Sequence, residues 1–535
     1  MQKNNAKTVT PVELKKWLHD GNEIALLDVR EHGQYGEAHL FYVVSAPYSK
    51  LESEVNRLVP RKSVRMVLVD EDGGSLASLA AQRLQVCGYS DIQILEGGVQ
   101  GWKRAGYELF AGVNLPSKTF GELAEHAFDT PRISATELNQ KIEQGEDMIV
   151  LDGRPFTEFK KMSIPTATCC PNGELPLRID DLIQSENTTI VINCAGRTRS
   201  IIGAQTLINL GIKNKVFALE NGTQGWFLAD FKLDHGKSQR HSLELNVEQI
   251  DKRQARAREL AQKHNVRFVD HATVNQWLKD ESRSTYLCDV RTPEEFAKGS
   301  LPGAQNTPGG QLVQATDQFV GAKGARLVLI DSEGVRAPAM ASWLEMMGWD
   351  VAVLTDALKP SANAIELNSS QQNSKANVDI KKINTEELSA AKTAGAKLID
   401  LRPSMKYRES HIDGAQWSIR GRLISDLNSH DEASVVLLVD DDAVAQSAQI
   451  ELQEHGVKNI SVNNESVAQW KAAGLAVVAT PDNPPDAQCI DYLFFVHDRH
   501  DGNKAAARQY LAWEMNLLAQ IDDQERNSYR LPQHA

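Results

Sequence analysis

One heptapeptide in this chain gathers the residue types of sulfur chemistry: Cys194-Ala195-Gly196-Arg197-Thr198-Arg199-Ser200. A thiolate attacks sulfur far better than a thiol does, and its charge is favoured beside Arg and at a helix N-terminus. Cys194 closes the apolar run Ile190 to Asn193. It precedes apolar residues at helical spacing, Ile201-Ile202, Gln205 to Ile208 and Leu210, with Gly211 at the stop position. The pattern predicts a buried strand, a tight loop and a helix starting near Ser200. Such a loop turns its N–H groups toward the sulfur while the helix dipole points the same way. Those N–H groups, with the fixed fork of Arg197 or Arg199, suit an anion, and Gly196 gives latitude where backbone approaches substrate. The expectation is Cys194 as nucleophile, with Ala195, Gly196, Arg197, Thr198, Arg199 and Ser200 as the substrate-binding loop, acting by covalent, ping-pong catalysis.

The elements that position this loop recur along the chain. An apolar run ending in Asp-x-Arg occurs four times, at Asp28-Val-Arg30, Asp152-Gly-Arg154, Asp289-Val-Arg291 and Asp400-Leu-Arg402. Each is followed by a polar-aromatic pair (Gln34-Tyr35, Glu158-Phe159, Glu295-Phe296, Lys406-Tyr407) and then by a second apolar run closed by Asp70, Cys194, Asp331 and Asp440. The separations from first Asp to closing residue are 42, 42, 42 and 40 residues, a regularity that marks a genuine repeat. Repeats one and two add a strand and a turn-helix, Glu96-Gly-Gly-Val-Gln-Gly-Trp102 and Glu220-Asn-Gly-Thr-Gln-Gly-Trp226. Repeat four keeps a worn version ending at Trp470, and repeat three is expected to have lost it, Leu354 running into Asp356-Ala-Leu-Lys-Pro360 without the Gly-Trp. Because Asp152 and Arg154 recur where Cys does not, their expected role is structural pairing at the strand end.

Alternating strands and helices predict an α/β chain, each module a mostly parallel sheet flanked by helices on both faces. The expected division is module 1 over 1–112, module 2 over 130–235, module 3 over 262–360, module 4 over 378–480 and a C-terminal helical tail over 481–535. Phe120 to Ala127 is expected to form a short helix, Glu244 to Gln262 a solvated connector helix, and Ser361 to Asn377 a flexible linker. In the tail, Tyr510, Trp513, Leu517 and Ile521 share one helical face, which either packs on the chain's own modules or forms a homodimer contact. His497-Asp-Arg-His-Asp501 lacks a third ligand group at helical spacing, so no metal is expected, nor any cofactor.

Composition narrows the function classes. The 535 residues carry 58 Lys and Arg against 71 Asp and Glu, a net charge of −13, which argues against nucleic acid as a partner. No apolar run approaches the ~20 residues of a membrane span. Met1 to Thr10 is polar and does not read as a secretory signal, so the expected compartment is cytoplasmic. Six cysteines are too few for a disulfide framework.

Taken together, Asp-x-Arg, Glu-Phe, Ser300-Leu-Pro-Gly-Ala304, an apolar strand ending in Cys, and Glu-Gly-Gly-x-x-Gly-Trp resemble the rhodanese superfamily, as a bacterial-type multidomain rhodanese-related sulfurtransferase with four tandem modules. The resemblance implies one active module, the second. Asp70, Asp331 and Asp440 stand where the sulfur-carrying Cys would be in the other three. Cys194 and Arg199 are spaced C-x4-R, whereas related phosphatases use C-x5-R. It also places Cys169-Cys170 on a strand ending at the active-site side, where one of them could relay the persulfide. The implied activity moves sulfane sulfur from a small sulfur-containing anion, thiosulfate or a small persulfide, to cyanide, a small thiol or a thiol protein. The alternative is a sulfur-carrier, redox-sensing or scaffold protein whose inactive modules dock partners.

Overall fold

The computed structural model describes residues 7–359, 365–366, 380–427, 434–497 and 503–532. The linker expected over Ser361 to Asn377 and the Asp498 to Asp501 part of the His-Asp motif lie outside the described residues, save Ile365 and Glu366 of the former.

Each repeat builds a mostly parallel sheet, and module 4 adds a two-stranded antiparallel pair, His411–Ile412 with Val477–Val478. In module 2 the strand order is Arg132–Ile133, Val216–Leu219, Thr189–Asn193, Met148–Asp152 and Thr168–Cys169, with Asp152 opposite Asn193 and Cys169. Both faces of these strands are buried, as a sheet covered by helices requires. Val150 and Val191 pack with Phe159, Leu219 and Trp226 on one face, while Leu151, Ile190 and Ile192 pack with Ala204 and Leu207 on the other. Module 3 retains the strand Asp350–Leu354, paired with Arg326–Ile330; only the turn-helix after it is missing.

The four Asp-x-Arg motifs share one geometry. Arg154 donates from its backbone N (3.1 Å), Nε (2.9 Å) and Nη2 (2.7 Å) to Asp152, and from Nη2 to Met162 O (2.7 Å). Arg30, Arg291 and Arg402 do the same to Asp28, Asp289 and Asp400 and reach Ala38, Gly299 and Ser410. The bridge ties the strand end to the chain eight residues on. With both charges buried, losing either partner would strand the other.

Modules pair crosswise. Modules 2 and 3 meet where Trp343 Nε1 donates to Thr206 Oγ1 (2.8 Å) and Arg336 binds Glu174 (2.8 Å). Modules 1 and 4 meet where Tyr48 donates to Glu451 (2.7 Å), Arg83 grips Glu454 and Arg420 grips Glu52. Module 3 also lends module 1 an antiparallel strand, Ala322–Lys323, registered with Ala25 and Ile24, and the two modules share one apolar core.

Two expectations need revision. The linker helix runs over Leu115–Phe128, longer than the apolar segment indicated, and much of it is buried. The connector is helical only over Ile250–Lys263 and is not solvated all round: Arg253, Ala257, Leu260 and Ala261 are buried, and Arg253 donates to Leu177 O. The tail helix Lys504–Gln520 turns Tyr510, Leu511 and Leu517 inward, where Leu517 and Ile521 join Phe41, Phe110 and Leu115. That apolar face is therefore covered by the chain itself, the first of the two arrangements read from its period. No helix among the described residues is long and apolar enough to cross a membrane.

Candidate active site

Cys194 follows the strand Thr189–Asn193, and the loop helix begins at Thr198, two residues earlier than the spacing indicated. Cys194 is 1% exposed, and Ser200 Oγ, from the helix's first turn, donates to its Sγ at 2.9 Å. The floor of the loop is the helix Gly222–Leu228. Thr223 N donates to Cys194 O (2.8 Å) and Gln224 N to Ala195 O (3.2 Å). Gly222 has φ +55°, and a Cβ there would lie 2.3 Å from Cys194 O, so only glycine lets this turn approach the Cys194 carbonyl.

Both arginines are held by carboxylates. Arg197 forks onto Glu122 of the linker helix (2.8 and 2.9 Å) and reaches Glu125 (2.5 Å). Arg199 forks onto Glu158 (2.8 and 2.9 Å). Burial opposes the charge of each, but the carboxylates outweigh it and raise both guanidinium pKa values, with the Cys194 sulfur adding to the effect on Arg199. Burial likewise holds Glu122 above the ordinary carboxylate range against the pull of Arg197. The remaining loop residues complete the wall. Gly121 packs against Thr198, and Gly196 lies under the tail helix, where a Cβ would come 2.8 Å from Glu514 Oε2. Lys118 and Tyr510 both donate to Glu514 (2.7 and 2.9 Å). Sequence reasoning missed Glu122, Glu125, Glu514 and Gln224. Glu158 carried a signal, because the Glu-Phe pair recurs as Glu295-Phe296; in the structure Glu295 grips Arg336, the counterpart of Arg199.

The matching loops of modules 1 and 3 show what the backbone array binds. Asp70 accepts from Gly73 N (2.6 Å), Gly74 N (3.2 Å) and Ala77 N (2.9 Å). Asp331 accepts from Gly334 N (2.9 Å), Val335 N (2.9 Å) and Ala337 N (3.0 Å). In both modules a carboxylate of the chain fills an anion site at the start of a helix. Burial and the nearby Glu333 push the Asp331 carboxyl up to about 7. Module 4 differs, since Asp440 pairs with Lys406 (2.6 Å).

The other five thiols are poorly suited to nucleophilic work. Burial pushes Cys169 and Cys288 up to about 12 and raises Cys170, Cys87 and Cys489. Cys169 Sγ donates to Arg154 O (3.5 Å). No group of three or more metal-ligating side chains occurs among the described residues. A cavity of about 620 Å³ between modules 1 and 4 is lined by residues including Glu31, Lys50, Trp417 and Asp440 and contains none of residues 194–200.

The rhodanese-like domain model matches four segments, residues 10–105, 134–229, 271–360 and 384–473. A crystal structure of thiosulfate sulfurtransferase from Pseudomonas aeruginosa is 38% identical, with a TM-score of 0.87, and the match covers 98% of this chain and 99% of that one. Among curated proteins, YrkF of Bacillus subtilis (strain 168), named as a candidate sulfur carrier, is 34% identical over 103 residues, 19% of this chain and 54% of its own. MoeZ of Mycobacterium tuberculosis (strain ATCC 25618 / H37Rv), named as a candidate adenylyltransferase/sulfurtransferase, is 30% identical over 104 residues, 19% of this chain and 26% of its own. The chain thus spans about half or less of the length of these two curated relatives. Four family matches that jointly cover most of the chain, and a full-length structural counterpart, establish that it belongs to the rhodanese family, the family of rhodanese-type sulfurtransferases.

Proposed function

We propose that the protein moves sulfane sulfur from a small sulfur-containing anion, thiosulfate or a small persulfide, to cyanide or a thiol through a persulfide on Cys194. The observation that carries this reading is the contrast between loops. Module 2 has a sulfur, bonded by Ser200 Oγ, at the strand end where modules 1 and 3 place a carboxylate in a ring of backbone N–H groups. An array that holds a carboxylate oxygen can hold a negatively charged sulfur or donor oxygen.

In the first half-reaction the Cys194 thiolate attacks the outer sulfur of thiosulfate. The new S–S bond forms as the old one breaks, and its electron pair leaves with sulfite. In the second, cyanide or a thiolate attacks the terminal sulfur, and the pair of the breaking S–S bond returns to Cys194 as thiolate, releasing thiocyanate or a new persulfide. Ser200 donates to the sulfur in its thiolate form at the start and end of the cycle. Six free cysteines with no disulfide among them fit a reducing, cytoplasmic setting.

The test is mass spectrometry of the purified full chain after thiosulfate, mercaptopyruvate or a small persulfide. One added sulfur on Cys194, lost in Cys194→Ser and released by cyanide, is expected. A wild-type protein that gains no sulfur from any of the three refutes the proposal.

A further inference from the structure

The inactive module 1 contains an unexpected guide to the active one. In its loop the residue after Asp70 is Glu71, whose carboxylate is held from two sides: Arg30 Nη1 donates to one oxygen (2.8 Å) and Gln100 Nε2 to the other (2.7 Å). Both donors recur in module 2. Arg154 has the same bridge to its strand-end Asp as Arg30. Gln224 has the backbone setting of Gln100, its N–H donating to Ala195 O just as Gln100 N donates to Glu71 O (3.2 and 3.1 Å). The acceptor does not recur, because the residue after Cys194 is Ala195.

The consequence is visible in the hydrogen bonding. Gln224 is 4% exposed, yet neither its Nε2 nor its Oε1 has a partner among the described residues. Arg154 is 2% exposed; its Nε and Nη2 serve Asp152 and Met162, while Nη1, the atom that in module 1 grips Glu71, makes no hydrogen bond among the described residues. Buried amides are almost always satisfied, and leaving one bare is costly. The loop's own arginines cannot meet this need, since Arg197 and Arg199 are already forked onto Glu122 and Glu158.

We propose that Arg154 Nη1 and Gln224 Nε2 form the subsite for the oxyanion group of the sulfur donor, in the place that the Glu71 carboxylate fills in module 1. The inference rests on Cys194 as the sulfur acceptor and adds what selects the donor: a transferable sulfur borne on a small group with an oxyanion, either the sulfonyl oxygens of thiosulfate or the carboxylate of a small persulfide. When thiosulfate reacts, the same two donors hold the oxygens of the departing sulfite, so they act on leaving group and ground state alike. Arg154 and Gln224 are thereby substrate-contacting residues, and the bridge between Arg154 and Asp152 fixes the guanidinium for the task.

The experiment follows Cys194 persulfide formation on the full chain with three donors: thiosulfate, a carboxylated alkyl persulfide and an alkyl persulfide without an oxyanion. Gln224→Leu is expected to lower loading by the two oxyanion donors roughly 10- to 100-fold relative to the third, the loss of one charge-assisted hydrogen bond. Gln224→Glu, close in shape but repulsive to an oxyanion, lowers the same ratio at least as far. Ala195→Glu rebuilds the module 1 arrangement and is expected to depress the ratio, with Ala195→Gln weaker in effect. Because each ratio is taken within one preparation, partial misfolding cancels. A fall confined to thiosulfate, or to the carboxylated donor, identifies which oxyanion the subsite serves. Unchanged ratios in both Gln224 variants, with wild-type loading intact, overturn the subsite and leave the Cys194 cycle standing. Wild-type protein that accepts sulfur from none of the three overturns that cycle and the subsite with it.

Discussion

Replacing Cys194 by Asp should convert the loop of module 2 into the kind that modules 1 and 3 already have, abolishing the proposed sulfur transfer while making the loop more rigid. In those modules the strand-end Asp accepts three backbone N–H bonds each. A side-chain cap of this kind is worth about 0.5–2 kcal/mol, and a negative charge at the helix N-terminus adds about 0.3–1 kcal/mol. Burial works against the charge: with the nearby Glu333 it carries Asp331 in module 3 up to about 7, well above the ordinary aspartate range. An acid whose folded pKa lies above its unfolded one binds more protons folded than unfolded, so its contribution declines as pH rises from about 4 through 7. The net gain over Cys194→Ser is therefore expected to be about 1 kcal/mol near pH 4, where the neutral carboxyl still accepts the backbone N–H bonds, some fivefold in an opening equilibrium, and smaller at pH 8. A chain of four packed modules has no single two-state transition, so the assay is local: amide hydrogen exchange of Arg197, Thr198 and Ser200, the counterparts of Gly334, Val335 and Ala337. Slower exchange in Cys194→Asp than in Cys194→Ser, with the difference shrinking toward pH 8, is expected. Faster exchange in the Asp variant would refute the idea that the loop is a preformed anion site.

Three further outcomes follow from the structure. Burial, partly offset by bonds from Ser49, pushes Glu31 up to about 7, so the folded state resists its ionisation; Glu31→Gln should be more stable than wild type to urea at pH 8 and equal to it near pH 4, and equal stability at both would contradict the burial. Arg336, 1% exposed, neutralises Glu174, Glu295 and Glu333; Arg336→Met should destabilise the contact between modules 2 and 3 by about 3–5 kcal/mol, as expected when buried charges lose their partner, read as faster amide exchange over the helix Arg336–Met346, and unchanged exchange there would contradict it. Gly112 has φ +90°, and a Cβ on it would meet Trp513 Cζ2 at 2.4 Å; Gly112→Ala should loosen the tail helix and speed limited proteolysis within residues 504–520, whereas an unchanged digest would mean that the docking tolerates the clash.

What the sequence disclosed and what it withheld divide by the range of the interaction. The four Asp-x-Arg strand ends were legible because their chemistry is local: Arg30, Arg154, Arg291 and Arg402 bond two residues back and eight residues ahead. The strand, loop and helix around Cys194 were legible for the same reason. Contacts made across the chain left no such trace. Arg197 finds Glu122 from 75 positions away, and Glu514 reaches the loop from the tail. The arginines of the loop could be named from sequence, but not that their forks are already engaged. The tail's apolar face was readable from its period, while its occupant, the chain's own linker helix and module 1, depends on the tertiary arrangement. Cross-module pairing was invisible because Trp343, Thr206, Arg83 and Glu454 look like ordinary helix residues until the helices meet.

The strand that module 3 lends to module 1 also sets a timetable for synthesis. Ala322–Lys323 pairs with Ala25 and Ile24, and Val320, Ala322 and Leu327 share a core with Leu27, Leu51 and Met66. A ribosome adding roughly 5–20 residues per second makes the first partner on the order of 15–60 s before the second. During that interval the nascent first module exposes part of a strand edge and an apolar surface, the features that recruit chaperones or wrong neighbours. The third module is thus the part of the chain whose arrival ends that exposure.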